Sequence, residues 1–365
     1  MVSLGWDWFT SSPIRDCLSV CTCNGDDADS GLVVAATVRI ATLHGINAIM
    51  RSKVPPNVVL TLLVPAVQDL VFDQTEKVRK FFFHSVAEWL GYEFEGSHFI
   101  EDKSRLLNCN DWVPKLLPLL LYGIFDNSAE VGTTALLLVE GIGKLYAAYS
   151  TSIENIMTIC DSQDERAYKS NGRSHCARDV EMEYQLLLPA PFKGRPGEGC
   201  CMLVQAFLKE LIGPIKDNLQ EWSEITRCGA ARLLLALLVM AEQRAGAYLH
   251  LIVPALSSAV GDDNLCIAKL LVESAHILGW HTSPHAWLPL VLGQVASSAA
   301  NSAQVTNKLV VLSGLLYGTQ KQAADKDLAK EVIQHLINVN SRFPQHESIH
   351  HQQSQIPAGN AKNNS

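Results

Sequence analysis

The side chains best suited to metal chemistry are three cysteines near the start of the chain. Cys17, Cys21 and Cys23 place three thiolates within seven residues, close enough in sequence to converge on one ion. The spacing lacks the paired CxxC pattern of structural zinc sites, and His44 is the nearest possible fourth ligand. Two histidines also lie close together in the stretch HTSPH, which ends at His285. We interpret this stretch as a solvated turn rather than a metal site. We therefore expect no metal and no cofactor.

The glycine-rich stretch GRPGEG, residues 194–199, is the only sequence that suggests phosphate binding. A phosphate-binding loop follows a β-strand and carries Lys and Ser or Thr after its glycines, and this stretch meets neither condition. We interpret it as a flexible linker. The sequence also contains no GxSxG nucleophile elbow and no HExxH zinc motif. These observations predict that the chain is not an enzyme.

Residues 77–89 hold the side chains best suited to contacting a protein partner. Three adjacent phenylalanines at 81–83 cannot all face one buried stripe of a helix, so at least one of them is expected nearer the surface. The basic side chains of the same helix predict a solvated face that could steer an acidic partner, and Arg79 could instead bridge to an Asp of a neighbouring repeat. The candidate partner-binding residues are Lys77, Arg79, Lys80 and Phe83.

These residues belong to a motif that recurs along the chain. VFDQTEKVRK, ending at Lys80, has the same skeleton as IFDNSAEVGT, ending at Thr134. In each copy a Pro precedes the Asp by eight positions, as it does in a third copy downstream; the pairs are Pro65 with Asp73, Pro118 with Asp126 and Pro254 with Asp262. Because recurrence at fixed internal spacing is typical of repeat proteins, it predicts the architecture before any single element does.

Each copy reads as two helices joined by a turn. The Pro lies in the first helix, and the Asp is expected to end that helix or cap the next. Apolar residues then recur every three or four positions in the second helix, which predicts one buried face. The predicted stripes are Val78, Phe82, Val86 and Trp89 in one copy, and Val131, Ala135, Leu138, Ile142 and Leu145 in the next. Two further pairs around Pro214 and Pro289 lack the Asp, and Trp222 stands eight positions after Pro214.

The fold class that follows is all-α, a HEAT or armadillo-type solenoid of about five to six antiparallel helix pairs. We place repeats at 31–157 and 199–339, a polar and disordered insertion at 158–198, a disordered tail at 340–365, and an N-terminal segment of uncertain structure at 1–30. Leu, Ala and Val dominate the apolar residues, as packed helices require, and aromatic residues make up only 7%. The net charge of -8 argues against a nucleic-acid surface, and the apolar run Leu233–Ala241 is too short to span a bilayer.

The amino-acid sequences of the repeats resemble one family in particular. WVPKLLPLLLYGIFDNSAEVG, residues 112–132, is similar to the first helix and acidic turn in the middle of the HEAT-repeat axonemal dynein assembly factors. WSEITRCGAARLLLALL, SAHILG and the dipeptide SP at 283–284 follow the order of the same family, over about residues 31–320. The chain is similar to the middle and C-terminal repeats, and Gly132 departs from the pattern because the family often has Arg there.

The resemblance implies a cytoplasmic, non-catalytic scaffold that helps to preassemble axonemal dynein arms. Its implied partners are axonemal dynein chains and chaperone-linked assembly factors, with no role for nucleic acid or membrane. A generic HEAT-repeat adaptor in trafficking or phosphatase regulation is the first alternative. An enzyme hidden among the polar segments, with Cys21 or His281 in its site, is an alternative of a different class.

Overall fold

The computed structural model describes residues 28–51, 64–95, 109–160, 177–297, 302–319 and a few positions between 329 and 337. Every regular element in these ranges is a helix, which confirms the all-α fold class. The cysteine cluster at residues 17–23, residues 161–176 of the insertion and the tail at 340–365 lie outside the described residues, so the predictions made for them stay predictions.

Twelve α-helices are described, and they are numbered here in chain order. They are α1 (Ala28–Arg51), α2 (Val64–Val67), α3 (Glu76–Glu95), α4 (Cys109–Tyr122), α5 (Ala129–Cys160), α6 (Ala177–Leu187), α7 (Glu198–Asn218), α8 (Glu224–Ala241), α9 (Leu249–Ala259), α10 (Leu265–His281), α11 (Pro284–Ser297) and α12 (Ser302–Gly318). Short 3₁₀ segments, Gln68–Phe72, Gly123–Phe125 and Glu242–Tyr248, extend α2 and α4 and link α8 to α9. Apart from α6, which lies in the predicted insertion, the helices after the first fall within the helix pairs predicted from the sequence.

Stacking of the second helices builds the core of the solenoid. In the first half α1 packs against α3 and α3 against α5, and in the second half α8 packs against α10 and α10 against α12. The predicted stripe of α3 is buried as a whole, because Val78, Phe82, Val86 and Trp89 are each at most 1% exposed. In α5 the stripe is centred on Val139 rather than Leu138, which lies at its edge.

The two halves are joined in a different way. At this junction α7 packs against α5, and α8 packs against α4, so each helix of the new pair meets the opposite member of the preceding pair. The approach of α7 to α5 is close enough that glycine is needed on both helices. A Cβ on Gly143 would lie 2.5 Å from the amide nitrogen of Cys200, and one on Gly199 would overlap the carbonyl of Gly143.

The segment preceding α7 is ordered, unlike the disordered insertion and flexible linker expected there. Residues 177–197, here called the junction segment, form α6 and then an extended stretch. Phe192 is buried beside Phe125, with ring centroids 6.0 Å apart. The amide of Gly197 donates to the Glu140 carboxylate at 2.9 Å, and Arg195 pairs with Glu242 at 2.5 Å. Polar composition concealed these contacts because each one is made to a distant part of the chain.

Candidate protein-interaction surface

In several of the helix pairs, an Arg side chain bonds the Asp that follows the Pro of the next helix pair by eight positions. This contact recurs along the array. Arg39 donates to Asp73 at 3.2 Å, Arg79 to Asp126 at 2.7 and 2.8 Å, and Arg227 to Asp262 at 2.6 Å. We call these three pairs the ladder. The carboxylates are nearly buried, with side-chain exposures of 6%, 5% and 6%, so the charges are shielded from solvent.

Each ladder Asp also organises its own turn. The carboxylates of Asp73, Asp126 and Asp262 accept the backbone amide two residues further on, at 2.8 to 2.9 Å. The Asp therefore ends the first helix, as expected, but it does not cap the second. In the third copy that cap is the next residue but one, Asn264, whose side chain accepts the amide of Cys266. Arginine bonding lowers the pKa of Asp262, which keeps the carboxylate ionised.

The guanidinium of the ladder has a second role within its own pair. Arg79 donates to the backbone carbonyls of Asp73 and Gln74, and Arg227 donates to those of Glu221 and Trp222. One planar side chain thus closes its own turn and holds the next one. A lysine would not do both, because only guanidinium has donors arranged in a rigid fork.

The ladder is interrupted at the junction. Gly132 occupies the position that corresponds to Arg79, six residues after the ladder Asp. In the following pair, Glu221 and Trp222 stand where the acceptor Asp would be. Both partners of this step are absent together, and here α7 rather than α8 packs on α5. The departures from the repeat pattern at Gly132 and Trp222 therefore reflect the same structural change, the loss of the Arg–Asp contact at the junction.

A cleft of about 430 Å³ opens at the junction. It is lined by the turn after α4, the extended part of the junction segment and the facing sides of α8 and α10; the lining includes Phe125, Asn127, Pro191, Arg232, Leu270 and Glu273. Arg232 is held at its edge by Asn127 at 2.8 Å and lies 5.8 Å from the ring centroid of Tyr122. The cleft presents apolar walls with a fixed cation at the rim, which suits a protein side chain or loop.

Burial shifts the pKa values of Glu273 and Cys228, at the cleft, more than neighbouring charges do. Burial raises the pKa of Glu273, which Lys269 approaches only to 3.8 Å. Burial also raises the pKa of the Cys228 thiol, so that side chain is less nucleophilic than an exposed cysteine. Within the described part of the chain, no three His, Cys, Asp or Glu side chains lie close enough together to hold a metal ion.

The predicted partner-binding residues separate into three groups. The prediction that Phe83 contacts a partner is wrong, because its ring is fully buried and packs against Gly123. Arg79 is 12% exposed and serves the ladder, as the alternative reading of that residue predicted. Lys80 pairs with Glu130 at 2.5 Å on the surface, and Lys77 is exposed. Only the two lysines remain accessible to a partner.

The HTSPH stretch also differs from a simple solvated turn. His281 ends α10 and shares a hydrogen bond of 2.9 Å with the hydroxyl of Tyr184 in α6. Burial lowers the pKa of His281 to about 4, so the ring is neutral at physiological pH. Tyr184 also stacks on Trp280 with ring centroids 5.5 Å apart. These contacts attach the junction segment to the second half of the solenoid.

Sequence reasoning missed Arg227, Arg232 and Trp222 as structural or surface features. Arg227 had a usable signal, because it follows its turn at nearly the same spacing as Arg79 follows Asp73. Arg232 had none, since its partner Asn127 is 105 residues away.

By length and composition, one helix in the described residues, Ala129–Ser152, could cross a membrane. Core helices of water-soluble proteins also pass this test.

Comparison with known proteins supports the resemblance. Residues 188–356 match the family model described as dynein axonemal assembly factor 5, HEAT-repeat domain. The chain is 26% identical over 226 residues to dynein axonemal assembly factor 5 of Mus musculus and 27% identical over 215 residues to that of Homo sapiens, which covers 60% and 59% of this chain. The Xenopus laevis protein of that name is 23% identical over 260 residues, or 71% of this chain.

These alignments span 23%, 22% and 26% of the mouse, human and frog proteins, so the chain corresponds to about a quarter of their length. The matched region includes the junction segment from Leu188, α7 and α8, and every later helix described above. The family resemblance inferred from the sequence is thereby confirmed: this chain is similar to the dynein axonemal assembly factor 5 proteins, and its residues 188–356 match the model of their HEAT-repeat domain.

Proposed function

We propose that the chain is a non-catalytic scaffold for the preassembly of axonemal dynein arms in the cytoplasm. The observation that carries the proposal is the match of residues 188–356 to the HEAT-repeat domain of dynein axonemal assembly factor 5. The fold supports it, because stacked helix pairs contact only their neighbours and leave a long surface for protein binding. Its proposed partners are axonemal dynein chains and chaperone-linked assembly factors.

The junction cleft and the surface lysines are the first places on the array where we expect such a partner. Lys77 and Lys80 present positive charge on α3, and the cleft adds Arg232 beside apolar walls. None of these side chains belongs to the ladder, so a partner could bind them without breaking a ladder pair. We propose these residues as binding residues.

Affinity purification from a ciliated cell tests the proposal. The tagged chain is purified and its partners are quantified by mass spectrometry, next to a variant that carries Lys77→Glu, Lys80→Glu and Arg232→Gln. We expect axonemal dynein chains to be enriched with the wild-type chain and reduced at least about threefold with the variant; a threefold change in affinity corresponds to about 0.65 kcal/mol. Recovery of vesicle-coat or phosphatase subunits without dynein chains would contradict the proposal and favour a general HEAT-repeat adaptor.

A further inference from the structure

Three large apolar side chains are exposed at one edge of the second half of the solenoid. Trp222 is 90% exposed, Leu265 is 83% exposed and Ile225 is 66% exposed. We call these three residues the edge patch. Single exposed aliphatic residues are common, but a nearly fully exposed Trp beside two other large apolar residues is typical of a binding surface, where Trp often contributes most to affinity.

Hydrogen bonds between the two turns place the edge patch residues together. The side-chain amide of Asn264 donates to the Glu224 carboxylate at 2.5 Å, which joins the start of α10 to the start of α8. Arg227 links the same turns, since it bonds both Asp262 and the carbonyl of Trp222. Trp222 and Ile225 precede and open α8, and Leu265 opens α10, so all three lie at one end of two adjacent helices.

The first half of the solenoid shows that these positions do not need apolar residues. Arg79 and Arg227 bond their own turns in the same way, which aligns Trp222 with Gln74 and Ile225 with Lys77. Aligning the ladder residue Asp262 with Asp73 likewise places Leu265 opposite Glu76. The counterparts Gln74, Lys77 and Glu76 are polar and exposed. Packing of the turn therefore does not explain the edge patch.

Carboxylates surround the edge patch. Glu221, Glu224 and Asp263 are exposed at the same two turns. Three cations on the helices that border these turns each have a carboxylate partner: Arg227 pairs with Asp262, Lys216 lies 3.3 Å from Asp217 and Lys269 lies 3.8 Å from Glu273. The local field is therefore negative, and it favours a cationic ligand. A second copy of this chain is disfavoured in a symmetric contact, because the same carboxylates would then face one another.

From this combination we propose that the edge patch binds a segment of a protein partner in which a large apolar side chain is flanked by Lys or Arg. The apolar residue packs on Trp222, Ile225 and Leu265, and the basic residues pair with Glu221, Glu224 and Asp263. The inference rests on the proposed scaffold role only in taking the occupant to be a protein. It names a partner chemistry and a surface that are separate from the junction cleft and the lysines of α3.

Selection from a random peptide library tests this chemistry without requiring dynein. A phage library of dodecapeptides is selected on the immobilised full chain, and enriched peptides are measured by fluorescence anisotropy. The test variant exchanges the edge patch for its counterparts, Trp222→Gln, Ile225→Lys and Leu265→Glu, which leaves the net charge unchanged. We expect enriched peptides to combine an apolar anchor with at least two basic residues, and their Kd to rise at least tenfold on the variant.

Matched controls separate the patch from general stickiness. The control variant replaces two other exposed apolar residues, Leu186→Gln and Tyr317→Gln, which are 87% and 71% exposed, and should leave Kd unchanged. Raising salt from about 50 to about 300 mM should weaken binding, because exposed charge pairs are screened over roughly 10 Å at 0.1 M. Circular dichroism should be the same for all three chains.

Several outcomes would overturn the proposal. It fails if no peptide is enriched, if enriched peptides are neutral or acidic, or if they bind the edge patch variant with unchanged Kd. It also fails if sedimentation shows the chain forming dimers that the edge patch variant abolishes, since a second copy would then be the occupant. Failure here leaves the dynein-assembly role intact, because purification of dynein chains is measured independently.

Discussion

Removing one arginine of the ladder should destabilise the solenoid far more than removing a neighbouring surface ion pair. Arg79→Met keeps the aliphatic stem but leaves the Asp126 carboxylate, 5% exposed, with the amide of Ser128 as its remaining bond. A buried charge that loses its partner typically costs about 3–5 kcal/mol. Arg79 also stops holding the carbonyls of its own turn, so the loss is expected at the upper half of that range.

The matched control is the pair Lys80–Glu130, which joins α3 to the start of α5 one residue further along α3. Its acid is 71% exposed, and exposed pairs contribute about 0.2–1 kcal/mol. Double-mutant cycles with Arg79→Met and Asp126→Asn, and with Lys80→Met and Glu130→Gln, isolate each coupling energy. We expect at least about 2 kcal/mol for the ladder pair and less than about 1 kcal/mol for the surface pair.

Urea unfolding followed by both circular dichroism and tryptophan fluorescence is the assay. Coincidence of the two transitions must be checked first, because repeat arrays can lose two-state behaviour. The double variant without both ladder charges should be more stable than Arg79→Met alone, since no buried charge is left unpaired. Equal coupling energies for the two pairs, or a double variant with the full sum of both losses, would refute the ladder as the link between repeats.

Further predictions concern the junction, acid stability and thiol reactivity. Gly143→Ala should destabilise the chain by about 1–3 kcal/mol through overlap with α7, whereas Gly141→Ala on the same helix, with open space around it, should stabilise it by about 0.5–1 kcal/mol in thermal unfolding. The pKa of His281 is about 4 in the folded chain against an ordinary 6.5, so the unfolded chain binds the proton first and stability falls as pH drops through that window. His281→Gln should flatten this dependence of the unfolding free energy on pH, which for wild type amounts to a total loss of at most about 3 kcal/mol. An unchanged dependence in the variant would contradict the assignment of the loss to His281. Iodoacetamide followed by mass spectrometry should modify exposed Cys266 well before Cys201, whose pKa burial raises to about 12.

The helix pairs could be predicted from sequence because each depends on local signals. Apolar spacing in α3 predicted its buried stripe residue by residue, and the recurring Pro and Asp located the turns. The ladder was partly accessible, since Arg79 follows Asp73 within one repeat and an Asp recurs in the next. The role of the Asp carboxylates was harder to predict, because an Asp before a helix usually suggests a cap, whereas in the third copy Asn264 is the cap.

The junction could not be predicted from the sequence. Its segment is rich in Gly, Pro and charge, a composition that indicates disorder when its partners are unknown. Order comes from contacts over long separations, such as Arg195 with Glu242 and Tyr184 with His281. Phe83 was misjudged for a related reason. Helical periodicity places residues on a face, but it does not show that a neighbouring helix pair, here through Gly123, covers that face as well.

Electron microscopy of axonemes after loss of this chain tests the assembly role most directly. The gene product is depleted in a ciliated or flagellated cell that contains it, and dynein arms are counted in axonemal cross-sections, with re-expression of the wild-type chain as the control. An assembly scaffold predicts cilia of normal length in which outer and inner arms are missing and are restored by re-expression. Cilia with a full complement of arms after complete depletion would contradict that role.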